Sequence, residues 1–437
     1  MSRADLRKLR LPVMAAPMFL VSGPDMVIAA ARSGIAGAFP TPNCRTADEL
    51  DRWMEQIAQE TADAPGTWAA NLVTHSSNAR LADDLALVAK HKPPIVITAL
   101  GSPAPAIDIV HDYGGIVLAD VVDERLGRKA AAAGADGLVA VASGAGGHTG
   151  SLSPFAFISS LRQFFDGVIC VGGAIADGAG VAGAVAAGAD LVYLGTRFIA
   201  AEESLADLAY KQMVVDARAA DLVVSAAITG TPASWLKASL VSAGYDPDDL
   251  GKPATRDYGG DPAKKWRDLW AAGQGLHAVS EIAPLARIVD ELETGWTAAC
   301  RRLAAFGDKN DTEEIEQFAA HFVDTVQRGD AEAMRACYAP DGVIWHNTDG
   351  KEQSVDENIA VLKWFVETLP DRTYTVQRRE VIPNGFVQQH VLSATLPDGK
   401  KWAMDACVVV TMEGGKIKRL DEYLDSAKGA QLREFGR

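Results

Sequence analysis

Eight short apolar runs constrain this chain more than any other feature. They lie at residues 12–18, 35–39, 67–73, 94–99, 115–119, 136–142, 168–171 and 190–194. Most are nearly continuous in apolar residues rather than alternating, as strands covered on both faces are. Between them lie mostly helix-compatible stretches, so the pattern reads as repeated parallel βα units. A spacing of roughly 20–30 residues per unit and a count of eight predict a (β/α)8 barrel in the α/β class, with a doubly wound open sheet as the competitor. Local signals agree. Residues 46–60 read as a helix with Thr46 as N-cap and Glu49 completing a capping box. Two units echo each other, Ala131-Ala132-Ala133-Gly134-Ala135-Asp136 and Ala186-Ala187-Gly188-Ala189-Asp190. Each is a helix end, a glycine just past it, and the next buried strand.

At 437 residues the chain exceeds what one compact core holds. Residues 197–300 read as a mostly helical insertion, with irregular sequence around 245–260 and a clear loop at 256–262. A helix at 280–303 precedes a polar, turn-forming stretch, Gly307-Asp308-Lys309-Asn310-Asp311, which reads as a linker. Beyond it come helices at 312–327, 331–338 and 355–368. Strands follow at 374–381, 385–396, 401–412 and 417–424, with Asp398-Gly399 and Gly414-Gly415 as hairpin turns. That order predicts an α+β cone, and two domains at 1–306 and 312–437.

A net charge of −15 disfavours nucleic acid and anionic membrane surfaces as partners. Cys44, Cys170, Cys300, Cys337 and Cys407 are scattered and contain no Cys-x-x-Cys pair, which argues against disulfides and zinc and for a reducing compartment. Arg3, Arg7, Lys8 and Arg10 before residues 11–21 mimic a leader peptide, but Pro12 and Pro17 spoil its helix. With no apolar stretch of about 20 residues, the expectation is a cytoplasmic protein without a membrane span.

The chemistry should gather where barrel strands end. After the sixth run comes Ser143-Gly144-Ala145-Gly146-Gly147-His148-Thr149-Gly150, a backbone able to approach a ligand closely, with one imidazole suited to proton transfer. The seventh run ends in Gly172-Gly173-Ala174 and the eighth in Gly195-Thr196, backbone and hydroxyl donors that suit a phosphate.

The ordered set of residues 12–22 (PVMAAPMFLVS), Asn71, 145–150 (AGGHTG), 175–178 (IADG), 195–203 (GTRFIAAEE), Tyr210-Lys211 and Gly273-Gln274-Gly275 resembles the nitronate monooxygenase (2-nitropropane dioxygenase-like) family, over about residues 9–300. The resemblance implies an FMN-containing barrel that oxidises alkyl nitronates with O2 to carbonyl compounds and nitrite, without NAD(P)H or a metal. By position it assigns Ala16, Met18, Asn71, Gly146, Gly147, Gly173, Ala174, Tyr193, Leu194, Gly195 and Thr196 to FMN. His148 becomes general base or orienting group, and Lys211 and Gln274 candidate substrate contacts. Three positions depart from the family pattern. Val141 stands where glutamine is frequent, Gly144 replaces a glutamate, and Ala174 replaces a glycine whose N–H is used. An FMN-dependent enoyl-acyl carrier protein reductase using NAD(P)H shares the barrel and a similar Gly-Gly-His loop, and a non-catalytic flavin-binding scaffold is the third reading.

Residues 338–346 (YAPDGVIWH), the helix at 356–368 and 419–424 (RLDEYL) resemble the nuclear transport factor 2-like superfamily, in its SnoaL-like, polyketide-cyclase-like branch. The resemblance implies an apolar pocket with His346, His390, Asp405 and Asp421 pointing into it, and a homodimer formed through the sheets. Catalysis, small-ligand binding and dimerisation stay open as its role.

Overall fold

The fold, taken from a computed structural model, is described for residues 3–254, 266–433 and 435. The irregular segment expected at 256–262 lies outside them. The chain divides into two compact units, residues 1–301 and 302–437.

The first unit is a closed barrel of eight parallel strands, β1 (Val13–Ala15), β2 (Ala36–Pro40), β3 (Thr67–Val73), β4 (Ile95–Ala99), β5 (Ile116–Val121), β6 (Gly137–Val141), β7 (Val168–Gly172) and β8 (Leu191–Leu194). Closure is made by β1, which pairs with β2 through Met14 to Ala36 and with β8 through Met14 to Tyr193. Both strand faces are buried, which is why the runs are continuous rather than alternating. One face fills the barrel with Met14, Ala38, Ala69, Ile97, Leu118, Val139, Cys170 and Leu191. The other packs against surrounding helices, as Val96 and Val117 do with Leu50, Met54 and Val88.

The local signals act as their chemistry dictates, with one exchange. Thr46 Oγ1 accepts the Glu49 N–H at 3.1 Å, but Glu49 returns its bond to Arg45 N–H at 2.6 Å rather than to the cap residue. Gly134 (φ 96°) and Gly188 (φ 112°) both take the left-handed region after their helices.

The region from 197 to 300 is less helical than its sequence suggests. Leu222–Ser225 and Ala233–Leu236 form an antiparallel hairpin, and Gly147–His148 adds to it as a third strand. Four-residue apolar runs are too short for periodicity to separate strand from helix.

The polar stretch 307–311 is not a turn. It lies within one helix, Leu285–Arg328. A single glycine without proline costs a helix only about 1 kcal/mol, less than the strongly helical flanks supply.

The second unit is a mixed six-stranded sheet with helices. Its strands are β9 (Tyr338–His346), β10 (Glu352–Ser354), β11 (Thr373–Ile382), β12 (Gly385–Thr395), β13 (Lys401–Glu413) and β14 (Lys416–Leu424), in the order β10-β9-β14-β13-β12-β11. β9 runs parallel to β14, and its register shifts between Tyr338 and Val343, across Pro340-Asp341-Gly342. Alternation on β13 is strict at first: Trp402, Met404, Ala406, Val408 and Val410 are buried, while Lys401, Ala403 and Asp405 are exposed. Among the described residues no helix is long and apolar enough to cross a membrane.

Helical continuity at 307–311 makes a prediction. Gly307→Ala should raise thermal stability, by about 0.5–1 kcal/mol, because alanine loses less backbone entropy in a helix. A melting temperature that falls would mean that a turn forms there after all.

Candidate active site

Five chain segments meet at the C-terminal end of the barrel, and the carbonyl of Gly144 joins three of them. It accepts the Ala174 N–H at 3.2 Å and the Gln274 N–H at 2.9 Å, linking the loops after β6 and β7 to the segment 272–275. Thr196 Oγ1 accepts the Gly273 N–H at 2.8 Å, which brings in the end of β8. The loop after β1 joins through Ala16 N–H on Leu194 O at 2.9 Å. Met18 lies against Gly195, where a Cβ would sit 3.4 Å from its Sδ.

Glycine is required at two of these places. A Cβ on Gly273 would lie 2.6 Å from Gly144 O and 2.8 Å from Gly146 N. Gly173 has φ 138°, and its Cβ would fall 2.6 Å from Ser143 O. The same rim carries three non-glycine residues at positive φ, Leu20 (63°), Leu100 (61°) and Ala174 (54°), in loops leaving β1, β4 and β7. Backbone strain concentrated on one rim is what a pre-shaped binding site stores.

Each expected barrel residue has a definite place. His148 is exposed and edge-on to Trp266, ring centroids 5.5 Å apart, with its backbone held against Ala233 in the small sheet. Gly146 approaches Gly273 N, which a Cβ would reach at 2.7 Å, and Gly147 takes φ 65°. Asn71 is buried on β3 and donates from Nδ2 to Ile97 O at 3.4 Å. Tyr193 points into the barrel, its hydroxyl oxygen buried with no hydrogen-bond partner among the described residues. Gln274 sits beside Gly144, where a Cβ would meet its Oε1 at 2.8 Å. Val141 is half-buried in the barrel interior.

Two expectations change. The Ala174 N–H, expected on a phosphate, is given to Gly144 O. The Lys211 ammonium, expected on substrate, is buried and donates to Glu202 O at 3.1 Å. Burial lowers its pKa, an effect opposed by Glu203 and Glu202.

Sequence reasoning passed over several residues here. Asn43 ties down the β1 loop, accepting from Leu20 N–H at 2.8 Å and donating to Ser22 O at 2.7 Å. Asp120 is the larger omission. It shares the inward parity of Ile116 and Leu118 on β5, its Oδ1 is buried without a partner among the described residues, and burial pushes its carboxyl up to about 7. A lone carboxylate inside an apolar strand was the available signal.

In the second unit, His346 and His390 do face the concave side. His346 Nε2 lies 3.1 Å from Glu422 Oε2. Burial pushes its pKa down, but the hydrogen bond and charge of Glu422 outweigh this and raise it. His390 is 5% exposed, its Nδ1 has no partner among the described residues, and burial lowers its pKa. Asp405 and Asp421 do not join them. Asp405 is exposed, on the parity of Lys401 and Ala403, and Asp421 accepts from Arg419 Nε at 2.9 Å. The β13 and β14 pairing shifts register beside Met412, so Ile417, Leu420 and Glu422 share the inner face.

A family model for nitronate monooxygenase matches residues 2–294, and a SnoaL-like domain model matches residues 319–420. The chain belongs to the nitronate monooxygenase family. A nitronate monooxygenase from Paraburkholderia phytofirmans is 29% identical over 356 residues, covering 70% of this chain and 95% of that protein. Among solved structures, a FabK mutant from Thermotoga maritima is similar at TM-score 0.57 and 26% identity, over 70% of this chain and 99% of the other. A nitroalkane oxidase from Streptomyces ansochromogenes shares the fold at TM-score 0.58 and 23% identity, over 69% and 99%. The chain is thus an oxidoreductase of a generally flavin-dependent family.

The residues fit a phosphate-bearing flavin. Thr196 Oγ1 accepts a bond and retains its own proton to donate. Beneath the rim, the Tyr193 hydroxyl and Asp120 Oδ1 are buried with no partner among the described residues, which suits a ligand with polar ring atoms.

Two outcomes follow. Gly273→Ala should cost about 1–3 kcal/mol in thermal unfolding and speed hydrogen exchange in residues 143–150, because the new Cβ pushes the loops apart. In the second unit, an NMR titration should place His346 above the ordinary 6.5, and Glu422→Gln should lower it. The stability His346 contributes is full below its unfolded pKa and is lost as pH rises through the folded one.

Proposed function

We propose that the barrel binds FMN and oxidises alkyl nitronates with O2 to carbonyl compounds and nitrite. The observation that carries this reading is the convergence of the glycine-rich loops, Thr196 and His148 on one rim of a barrel of this family. Bound FMN supplies the electron chemistry that no side chain here can.

The chain's own residues bind and orient. The backbone of Gly173 and Gly195 and the Thr196 hydroxyl hold the phosphate end. Ala16, Met18 and Asn71 line the cofactor from the β1 and β3 side. His148 accepts the α-proton of a neutral nitroalkane at a ring nitrogen; a preformed nitronate has already lost it. Trp266, against which the ring rests edge-on, fixes its plane. The Gln274 side chain, beside Gly144, orients the nitro group.

The test is purification followed by a visible spectrum and substrate assays. The expected result is a yellow protein that releases FMN, turns over propionate 3-nitronate or 2-nitropropane, and does not oxidise NADH. A colourless protein that FMN cannot reconstitute would contradict the reading, and NADH-driven turnover would favour a reductase. His148→Asn should keep its flavin and lose about a hundredfold on neutral nitroalkanes, with a smaller loss on preformed nitronates. Equal loss on both would assign His148 a structural role.

A further inference from the structure

Asp120 and Tyr193 stand out in the barrel because each buries an oxygen with no hydrogen-bond partner among the described residues. They occupy equivalent places, each the last inward-facing position of its strand before the C-terminal rim, following Leu118 on β5 and Leu191 on β8. Asp120 lies near enough to act electrostatically on Tyr193 and on Cys170 of β7. The neighbouring last inward position on β6 is Val141, which offers no polar atom.

Leaving two such groups unpaired costs free energy that an apolar pair of similar shape would not. The titratable groups facing Asp120 are Cys170 and Tyr193. Burial pushes both well up, so neither carries charge near neutrality. Burial alone acts on Asp120 and pushes it up to about 7, so much of it is the neutral acid there. A neutral carboxylic acid donates through its O–H and accepts through its C=O at once. That pairing suits the edge of a planar heterocycle in which C=O and N–H groups alternate, and the Tyr193 hydroxyl adds a further donor or acceptor.

We infer that Asp120 is a positioning residue which, together with Tyr193, hydrogen-bonds the polar edge of the ring of the bound flavin. This rests on the FMN reading above. It also accounts for an apolar Val141 on the adjacent strand: the polar contact comes from β5 instead.

Two measurements test it, one of them free of flavin. In flavin-free protein, Asp120 binds a proton in the folded state between its unfolded value of about 4 and its folded value of about 7. Its contribution to stability therefore falls as pH rises through that window. Asp120→Asn should raise the melting temperature by a few degrees at about pH 8, and by less at about pH 5. In loaded protein, Asp120→Asn, which still donates and accepts, should hold FMN within about threefold of wild type, while Asp120→Leu should bind it more than about tenfold more weakly. Tyr193→Phe should weaken binding by about threefold to tenfold. The visible spectrum of the loaded wild type should shift as Asp120 ionises, at a pH no lower than in flavin-free protein, and Asp120→Asn should abolish that shift.

Leucine and phenylalanine variants that melt normally, bind FMN as wild type does and keep the wild-type pH response would overturn this proposal alone. A wild type that takes up no FMN would overturn the cofactor reading, and this proposal with it. If Asp120→Leu does not fold, the asparagine and phenylalanine variants decide: an unchanged pH response in the first and unchanged affinity in the second would overturn the inference.

Discussion

The architecture of the rim depends on one carbonyl. Gly144 O takes the N–H groups of Ala174 and Gln274, residues far apart in sequence, so the loops after β6 and β7 and the segment 272–275 cannot move independently. The contact needs backbones closer than side chains permit, and Gly146, Gly173 and Gly273 are glycine for that reason. Thr196 then extends the arrangement to β8. A site built this way is shaped before its ligand arrives, which reduces the ordering cost of binding.

That rigidity comes with unpaired polarity. Beneath the rim the barrel interior is mostly apolar, but the oxygens of Asp120 and Tyr193 are buried there with no partner among the described residues. The cone repeats the theme on a smaller scale, setting the partnered His346 and His390, whose Nδ1 has no partner among the described residues, on an inner face that also carries Phe386, Val408, Val410 and Leu420. In both units a few titratable groups sit in apolar surroundings, where burial and neighbours shift them furthest.

The barrel was legible because strands buried on both faces leave continuous apolar runs, and the cap residues Thr46, Gly134 and Gly188 mark their helices plainly. What was not legible has physical causes. The fifth run was expected to stop at 119 because Asp120 is polar, yet β5 continues to Val121 and carries the carboxyl inward. Asp421 was expected inside and Glu422 lies there instead, since the register shift beside Met412 changes the parity of β14. The stretch 307–311 has the composition of a linker, but its neighbours are helical enough to carry it. The hairpin at 222–236 is too short to announce itself, and it supports the backbone of His148. Lys211 looked available for an anion, but its burial and its bond to Glu202 O depend on tertiary packing that no local pattern shows.

Hydrogen exchange with and without FMN asks whether these loops respond as one site. FMN should slow exchange together in residues 143–150, 173–178, 194–197 and 272–276, with the second unit's strands unchanged. Protection absent from these segments, or found only in residues 312–437, would contradict it.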